Sequence, residues 1–377
     1  IPKILCHSMK AENLITEEQE KKNWEAGRKA LEEHYRRAEV SATAELADKK
    51  GWYRSHLTIS GEPMISVIIP SKDHINDLEL CISSIEEKTT WKNYEIIIVE
   101  NNSVEKETFV YYETLKNRYP NVRILTWKKE FNYSAINNYG VRHAKGDYLL
   151  FLNNDVTVIT PGWIKEMLGV CQRKDVGIVG ARLYYEDDTI QHAGVVIGMG
   201  GWADHVFKGM KPQHYGSPFV SPMVTRNVSA VTGACLAVSK ATIEKIGGFD
   251  EKFIVCGSDI ELALRANKYG LVNIYDPNVR LYHYESKSRD ASKIPQIDFD
   301  LSDQMYKTYR KNGDPYYNRN LDYYCCQPKI CAAVQQTVKE QEEKMLLKRK
   351  RETGLPQLDT NVYEITPYTF RKIEYPN

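Results

Sequence analysis

From residue 64 to residue 152 the chain alternates between two hydrophobic periods, and that alternation leaves few folds open to it. Apolar runs, the first three rich in β-branched residues, occupy 64–69, 94–99, 122–127 and 148–152. Between them, 78–87, 104–119 and 133–144 carry apolar residues at helical spacing, as at Leu78, Ile82 and Ile85. A short apolar run reads as a buried strand, and strands alternating with helices imply a parallel sheet with right-handed crossovers. The expected class is therefore α/β, a Rossmann-like, mostly parallel central sheet with helices on both faces.

Three polar clusters directly follow strands: Pro70-Ser71-Lys72-Asp73, Glu100-Asn101-Asn102-Ser103 and Asn153-Asn154-Asp155. Carboxyl ends of parallel strands open on one edge, where α/β sheets bind ligands, so the clusters are expected to converge. Singly, each is also an ordinary strand-to-helix loop. No GxGxxG or GxxxxGK[ST] follows the first strand, which argues against dinucleotide and P-loop chemistry. Carboxylates and amides on this edge instead suit a nucleoside held by hydrogen bonds and a diphosphate neutralised by a metal ion.

Residues 176–290 are less regular, with strands expected at 176–179 and 193–197. The stretch 198–221 holds Gly, Pro and His with Trp202, His205, Phe207, His214 and Tyr215. It suits a ligand-facing loop or packing beneath one. In the run 227–238, Gly233 of Thr232-Gly233-Ala234 permits close approach of a ligand or of another backbone. Ser258-x-x-Glu261 reads as a capping box opening a helix, with Asp259 in its first turn. A carboxylate there complements the helix dipole and can also serve as a general base. His283 ends a short strand and is either a structural histidine or a metal ligand.

The flanks differ from this centre. Residues 1–60, charge-rich with sparse anchors Trp24, Leu31, Tyr35 and Leu46, are expected as a helical extension or linker. Residues 61–320 form the main domain, and 321–377 a helical extension or linker with a helix over 334–352. Lys344 and the basic run 348–351 beside Met345, Leu346 and Leu347 suit peripheral contact with an anionic membrane, or a solvated linker helix. The balance of 51 basic and 50 acidic residues argues against a nucleic-acid partner. No apolar run approaches the ~20 residues of a membrane span. Eight cysteines without regular spacing fit reduced thiols and a cytoplasmic setting. Starting at Ile1 without methionine, the sequence reads as a segment of a longer chain with flanking modules.

Taken in order, Val67-Ile68-Ile69-Pro70, the run from Ile96 to Ser103, Asn153-Asn154-Asp155, Gly247-Gly248-Phe249-Asp250-Glu251, Ser258-Asp259 and His283 resemble the family 2 glycosyltransferases of GT-A fold. The likeness spans about residues 63–320 and includes Phe131-Asn132-Tyr133-Ser134-Ala135 and Ile190-Gln191-His192-Ala193-Gly194. It is nearest to the bacterial branch that builds rhamnose-containing and other surface polysaccharides. The segment from Ile1 to Met9 is similar to the tail of a preceding transferase module.

The resemblance implies an inverting transferase that moves a sugar from a UDP- or dTDP-linked donor to a hydroxyl of a glycan or lipid-linked acceptor, with Mn²⁺ or Mg²⁺. It assigns Pro70, Ser71, Lys72, Asp73, Glu100, Asn102, Asn132, Asn137, Asn153 and Asn154 to the nucleotide sugar. It assigns Asp155 and His283 to the metal, Asp259 to the base, and Trp202, Thr232, Gly233, Ala234 and Glu261 to the acceptor side. Departures accompany the likeness: Asn153 replaces the first aspartate of the family's Asp-x-Asp, Glu100 a usual aspartate, and Ile136 an arginine that contacts the diphosphate. An imidazole beside one carboxylate favours Mn²⁺ over Mg²⁺. A sugar nucleotidyltransferase and a non-catalytic nucleotide-sugar-binding module are the alternative readings.

Overall fold

In the computed structural model, which describes residues 16–47, 49, 51–211, 213, 220–284, 294–329, 340, 341 and 343, the chain divides into two compact units at Gly61/Glu62. Thr16 opens the first helix, α1 (Glu17–Arg37), its hydroxyl accepting the Gln19 amide at 3.2 Å. The expectation of a purely helical N-terminal extension is corrected by a hairpin, β1 (Ala42–Leu46) with β2 (Tyr53–Leu57). Ala, Glu and Leu favour helix locally, and pairing with the Tyr53 strand overrides that preference. Trp24 and Tyr53 tie helix to hairpin through Trp24 Nε1 to Trp52 O at 3.0 Å and Tyr53 Oη to Trp24 O at 3.1 Å.

The second unit begins with the expected alternation: β3 (Ile65–Ser71), α2 (Ile75–Lys88), β4 (Tyr94–Glu100), α3 (Lys106–Arg118), β5 (Val122–Thr126), α4 (Tyr133–His143) and β6 (Tyr148–Leu152). Pairs β3–β4, β4–β5 and β3–β6 are all parallel, so the three polar clusters share one edge. Pro70 lies within β3, beyond Ile68, the last residue paired with β6. A residue without an N–H is tolerated there. Ile65, Ile68, Ile97, Leu150 and Phe151 are fully buried, each contributing about 1.5–3 kcal/mol of hydrophobic stabilisation.

After β6 come β7 (Val156–Val158), α5 (Trp163–Cys171), β8 (Val176–Tyr184), β9 (Ile190–His192), β10 (Val195–Ile197), β11 (Ala203–His205), β12 (Arg226–Val228), β13 (Cys235–Ser239), α6 (Lys240–Ile246), α7 (Ser258–Lys268), β14 (Val272–His283) and α8 (Gln296–Asn312). The large sheet has the order β12-β14-β8-β13-β6-β3-β4-β5, with β7 on β14 and β9 on β8. Its second half is joined through β13, antiparallel to both β6 and β8. The run expected as one strand over 193–197 breaks at Gly194, whose φ of 95° separates β9 from β10. The strand ending at His283 is far longer than its sequence signal, because Asp276, Pro277 and Asn278 interrupt the hydrophobic pattern at a register shift against β8. The helix expected over 334–352 and the basic run within it fall almost entirely outside the described residues. None of the described helices is long and apolar enough to cross a membrane.

Asp314, just past α8, is buried and accepts Ile197 N, Ser229 Oγ and Tyr316 N, each at 2.8 Å. Burial outweighs these bonds and pushes its carboxyl from 3.8 up to about 6. A raised folded-state pKa contributes stability that is complete below about pH 4 and lost as pH rises through about 6. The shift corresponds to about 3 kcal/mol. Urea unfolding of the wild type and Asp314→Asn from pH 4 to 7 is expected to show the difference moving against the wild type by up to that amount. A pH-independent difference would remove Asp314 from the titration.

Candidate active site

The first two clusters are bonded to each other across the β3–β4 edge. Asn101 N donates to Ser71 O at 2.9 Å, Asp73 N to Ser103 Oγ at 3.0 Å, and Ser103 N to Glu100 Oε1 at 2.5 Å. Asp73, expected at the nucleotide sugar, is bonded to the loop ahead of α3 (Lys106–Arg118): its Oδ1 accepts Val104 N and Glu105 N at 3.0 Å and Thr108 Oγ1 at 3.3 Å. Lys72 is exposed, Pro70 half-buried, Ser71 and Glu100 buried, and Asn102 donates to Lys129 O at 2.8 Å.

Asn132 and Asn137, also expected at the nucleotide sugar, make bonds within the fold. Asn132 caps α4, accepting Ala135 N at 2.8 Å, and donates to Glu251 O at 2.8 Å. Asn137 is fully buried with Nδ2 on Tyr133 O at 2.9 Å. Ile136 is fully buried in the core, so diphosphate charge is not met from that position. The polar face of α4 instead holds the loop that leads to Asp259. Tyr133 N donates to Ile254 O at 2.8 Å, Ser134 Oγ to Phe253 O at 2.8 Å, and Asn138 Nδ2 to Phe249 O at 2.9 Å.

The third cluster meets the end of β14. His283 Nε2 lies 3.3 Å from Asp155 Oδ1 and 3.1 Å from Asn153 Nδ2. Its other ring nitrogen lies 2.6 Å from Gln191 Oε1. Asn153 and Asn154 are half-buried beside them. Behind Asn153, burial and then the Asp155 charge push the Cys81 thiol well up, and it donates to Asn153 O at 3.7 Å. Asp155 and His283 fit a divalent ion: a hard oxygen and an imidazole nitrogen face one point. Their separation is near the roughly 3.0 Å between neighbouring ligands about an octahedral ion with ~2.1 Å bonds. Among the described residues no third His, Cys, Asp or Glu completes a metal cluster. Further ligands would therefore be substrate oxygens or water.

Asp259 sits in the first turn of α7, and the floor of the site connects it to the third cluster. Gly233 N donates to Asp259 Oδ2 at 2.8 Å, while Ala234 O accepts Asn153 N at 3.1 Å. A Cβ on Gly233 would stand 2.8 Å from Tyr133 Oη and 3.4 Å from Asp259 Cβ, so only glycine fits this approach. Thr232 closes the turn with its Oγ1 3.3 Å from Ala234 N.

The expected capping box does not form. Gly257, at φ 88°, is the N-cap, and Ser258 is buried without a side-chain cap bond. Glu261 is corrected from an acceptor-side contact to a buried partner of Arg265, whose guanidinium also donates to Ile246 O at 3.0 Å and Gly248 O at 2.7 Å. Trp202 is packed edge-to-face on Phe299 at 5.8 Å, and Phe207 is fully buried, so these aromatics of the 198–221 stretch pack into the fold. His214 and Tyr215 lie outside the described residues.

Sequence reasoning missed Asp298. This fully buried α8 carboxylate accepts Ile254 N and Val255 N at 2.8 Å and Cys256 N at 3.0 Å, holding the loop directly before Gly257 and Asp259. Its local sequence carries no motif; only the spacing of three amides in space reveals it. Asp298→Ala is expected to cost about 2–4 kcal/mol in urea unfolding, since buried donors lose a charged acceptor. Unchanged stability would show the loop to be held by other contacts.

This polar edge on a parallel half-sheet, joined through an antiparallel strand to the rest of the sheet, is a GT-A fold, shared with the solved glycosyltransferase described below. Residues 66–246 match the model of Glycosyl transferase family 2, and this chain carries a domain of that family. The O-antigen biosynthesis protein RfbC of Myxococcus xanthus is 42% identical over 301 residues, 78% of this chain and 23% of the relative. The protein y4gI of Sinorhizobium fredii is 38% identical over 326 residues, 83% of this chain and 36% of the relative. The chain thus spans well under half the length of either. A structure of GalNAc-T7 with UDP, GalNAc and Mn²⁺ superposes with a TM-score of 0.54 at 15% identity, over 72% of this chain and 55% of that one.

Proposed function

We propose that this chain is an inverting, metal-assisted glycosyltransferase that transfers a sugar from a nucleotide-diphosphate donor to a hydroxyl of a glycan or lipid-linked acceptor in bacterial polysaccharide synthesis. One observation carries the reading: Asp259 and Asn153 are joined through the single dipeptide Gly233-Ala234, so a base and a nucleotide-diphosphate edge share one floor. A rhamnosyltransferase of Mycobacterium tuberculosis, named for an N-acetylglucosaminyl-diphospho-decaprenol acceptor, is 22% identical over 60% of this chain and 76% of its own length. That likeness supports lipid-linked acceptors and rhamnosyl or hexosyl donors as the first substrates to test.

In this mechanism Ser71, Lys72, Glu100 and Asn102 hold the nucleoside, and Asn153 and Asn154 the ribose side. Both Asp259 oxygens accept backbone amides, Gly233 N at 2.8 Å and Ile260 N at 2.9 Å, which fixes the carboxylate plane. Asp259 takes the proton of the acceptor hydroxyl as that oxygen bonds to the anomeric carbon. The bond from that carbon to the diphosphate oxygen breaks on the opposite face, and the nucleotide diphosphate departs with the electron pair. Fixing the base in place supplies orientation in advance of the reaction. Asp155 and His283 would hold Mn²⁺ or Mg²⁺, which when bound offsets charge on the departing diphosphate.

The test is a panel of UDP-, dTDP- and GDP-sugars with Mn²⁺, Mg²⁺ or chelator, following release of the nucleotide diphosphate with a lipid-diphosphate acceptor. Metal-dependent release from one donor is expected. Production of pyrophosphate from a nucleoside triphosphate and a sugar phosphate instead would make the protein a nucleotidyltransferase.

A further inference from the structure

We infer that Gln191 is a positioning residue that fixes the proton of His283 on Nδ1, so that Nε2 presents its lone pair to a divalent cation shared with Asp155. The inference rests on the reading of Asp155 and His283 as the metal site and extends it by one residue.

The argument is one of hydrogen-bond capacity. The Gln191 side chain makes two contacts with the same residue: Nε2 to the His283 backbone O at 3.1 Å, and Oε1 to His283 Nδ1 at 2.6 Å. A backbone carbonyl can only accept, so the amide nitrogen must face it and the amide oxygen must face the ring. An amide oxygen can only accept, so Nδ1 is the nitrogen that carries hydrogen. In a neutral imidazole the other nitrogen is then a bare acceptor.

The surroundings of Nε2 agree with that assignment. The Asn153 amide nitrogen lies 3.1 Å away, within reach to donate to a bare Nε2, while Asp155 Oδ1 stands at 3.3 Å. With Nε2 bare, a cation between the ring and the Asp155 carboxylate would meet the lone pairs of both. Gln191 is 2% exposed and His283 7%, so water competes poorly for either end of the clamp. Gln191 is carried on β9, which pairs with β8 at Leu183↔His192, and β8 runs parallel to β14 with Leu281 opposite Leu183. The clamp thus links two strands that flank β8, and the ring orientation is set by the sheet. Partners that orient a ligating histidine commonly change metal affinity by about 10–100-fold when removed.

The adjacent histidines do not offer the same arrangement. His192 is buried, its Nε2 accepts Gly194 N at 3.3 Å, and burial holds its pKa well below the usual histidine value. His205 Nδ1 is bonded to Gln191 O at 2.9 Å. Neither lies within the Asp155 pair.

The test uses the whole chain labelled with ¹⁵N-histidine, with the His283 ring signal identified by its loss in His283→Ala. Long-range ¹H–¹⁵N correlation without added metal is expected to show Nδ1 protonated and Nε2 bare in the wild type. A proton on Nε2 would overturn the inference with no variant required. Mn²⁺ titration, alone and with UDP, is then followed by electron paramagnetic resonance. Gln191→Leu is expected to bind Mn²⁺ about 10–100-fold more weakly. Gln191→Glu keeps an acceptor on Nδ1 but loses the donor to the His283 carbonyl, so it is expected to be less stable in urea unfolding and yet to bind Mn²⁺ more tightly than Gln191→Leu, an order that lost packing alone would not produce. Equal Mn²⁺ affinity in the wild type and Gln191→Leu would overturn the role of Gln191 while leaving the metal site standing. Absence of Mn²⁺ binding in the wild type itself would overturn both.

Discussion

Asp259→Asn is expected to lower kcat by about 10²–10⁴-fold, the range that a positioned general base contributes. The substitution keeps size, and one amide oxygen can still accept Gly233 N or Ile260 N, the two bonds at 2.8 and 2.9 Å that orient the side chain. What it removes is the capacity to take a proton. The donor KM is therefore expected to stay within a few-fold, because the nucleoside-side residues on β3 and β4 are untouched. Steady-state kinetics with a saturating acceptor, together with calorimetry of nucleotide binding, separates the two quantities. Retained turnover would remove Asp259 from the mechanism, and loss of nucleotide binding along with turnover would make it a structural residue. The Gly233 floor makes this site sensitive from a second side, since a Cβ there would press on Tyr133 Oη at 2.8 Å and touch Asp259 Cβ at 3.4 Å.

The second large effect is expected at Asp155. Asp155→Ala removes the one carboxylate of the Asn153-Asn154-Asp155 turn and leaves His283 Nε2 without its oxygen neighbour at 3.3 Å. With Asn153 in place of an acid, no adjacent carboxylate in that turn can take over. Transfer is expected to fall by about 10²–10³-fold, equivalent to about 3–4 kcal/mol of lost transition-state stabilisation. Mn²⁺-dependent nucleotide binding is expected to fall with it, whereas Asp259→Asn leaves that binding in place. Measuring nucleotide affinity with Mn²⁺ and with chelator distinguishes the two variants. Equal affinity with and without metal in the wild type would show that Asp155 does not act through a metal.

The Asp298 clamp lies between these predictions. Its three amide bonds hold residues 254–256, and Asp259 follows within three residues. Damage there is expected to lower stability first and kcat through the position of the base. A variant that loses kcat with an unchanged pH profile fits a displaced base, and a shifted profile fits an altered one.

The sequence by itself determined the parallel half-sheet. Period and turn chemistry are local properties, and residues 64–152 state them without help from the rest of the chain. Only through the family resemblance did Asn153, Asp155, Asp259 and His283 point to one site. Tertiary structure alone decided what each polar side chain is free to do. Asp73, Asn132, Asn137 and Glu261 looked like ligand contacts because they are polar and lie near the right motifs. In the fold Asp73 binds the loop ahead of α3, Asn132 caps α4, Glu261 pairs with Arg265, and Asn137 gives its Nδ2 to the α4 backbone. The reverse holds for Asp298, which carries no local signal, and for Gln191, whose motif came with no role; they hold the base loop and the His283 ring from 43 and 92 residues away in sequence. A hydrogen bond depends on distance and direction between atoms, and contacts across a sheet or from a distant helix leave no periodicity in the chain to read. The turn at Asn153-Asn154-Asp155 was visible from residue types; its connection to Asp259 through Gly233-Ala234 exists only once β13 has paired with β6.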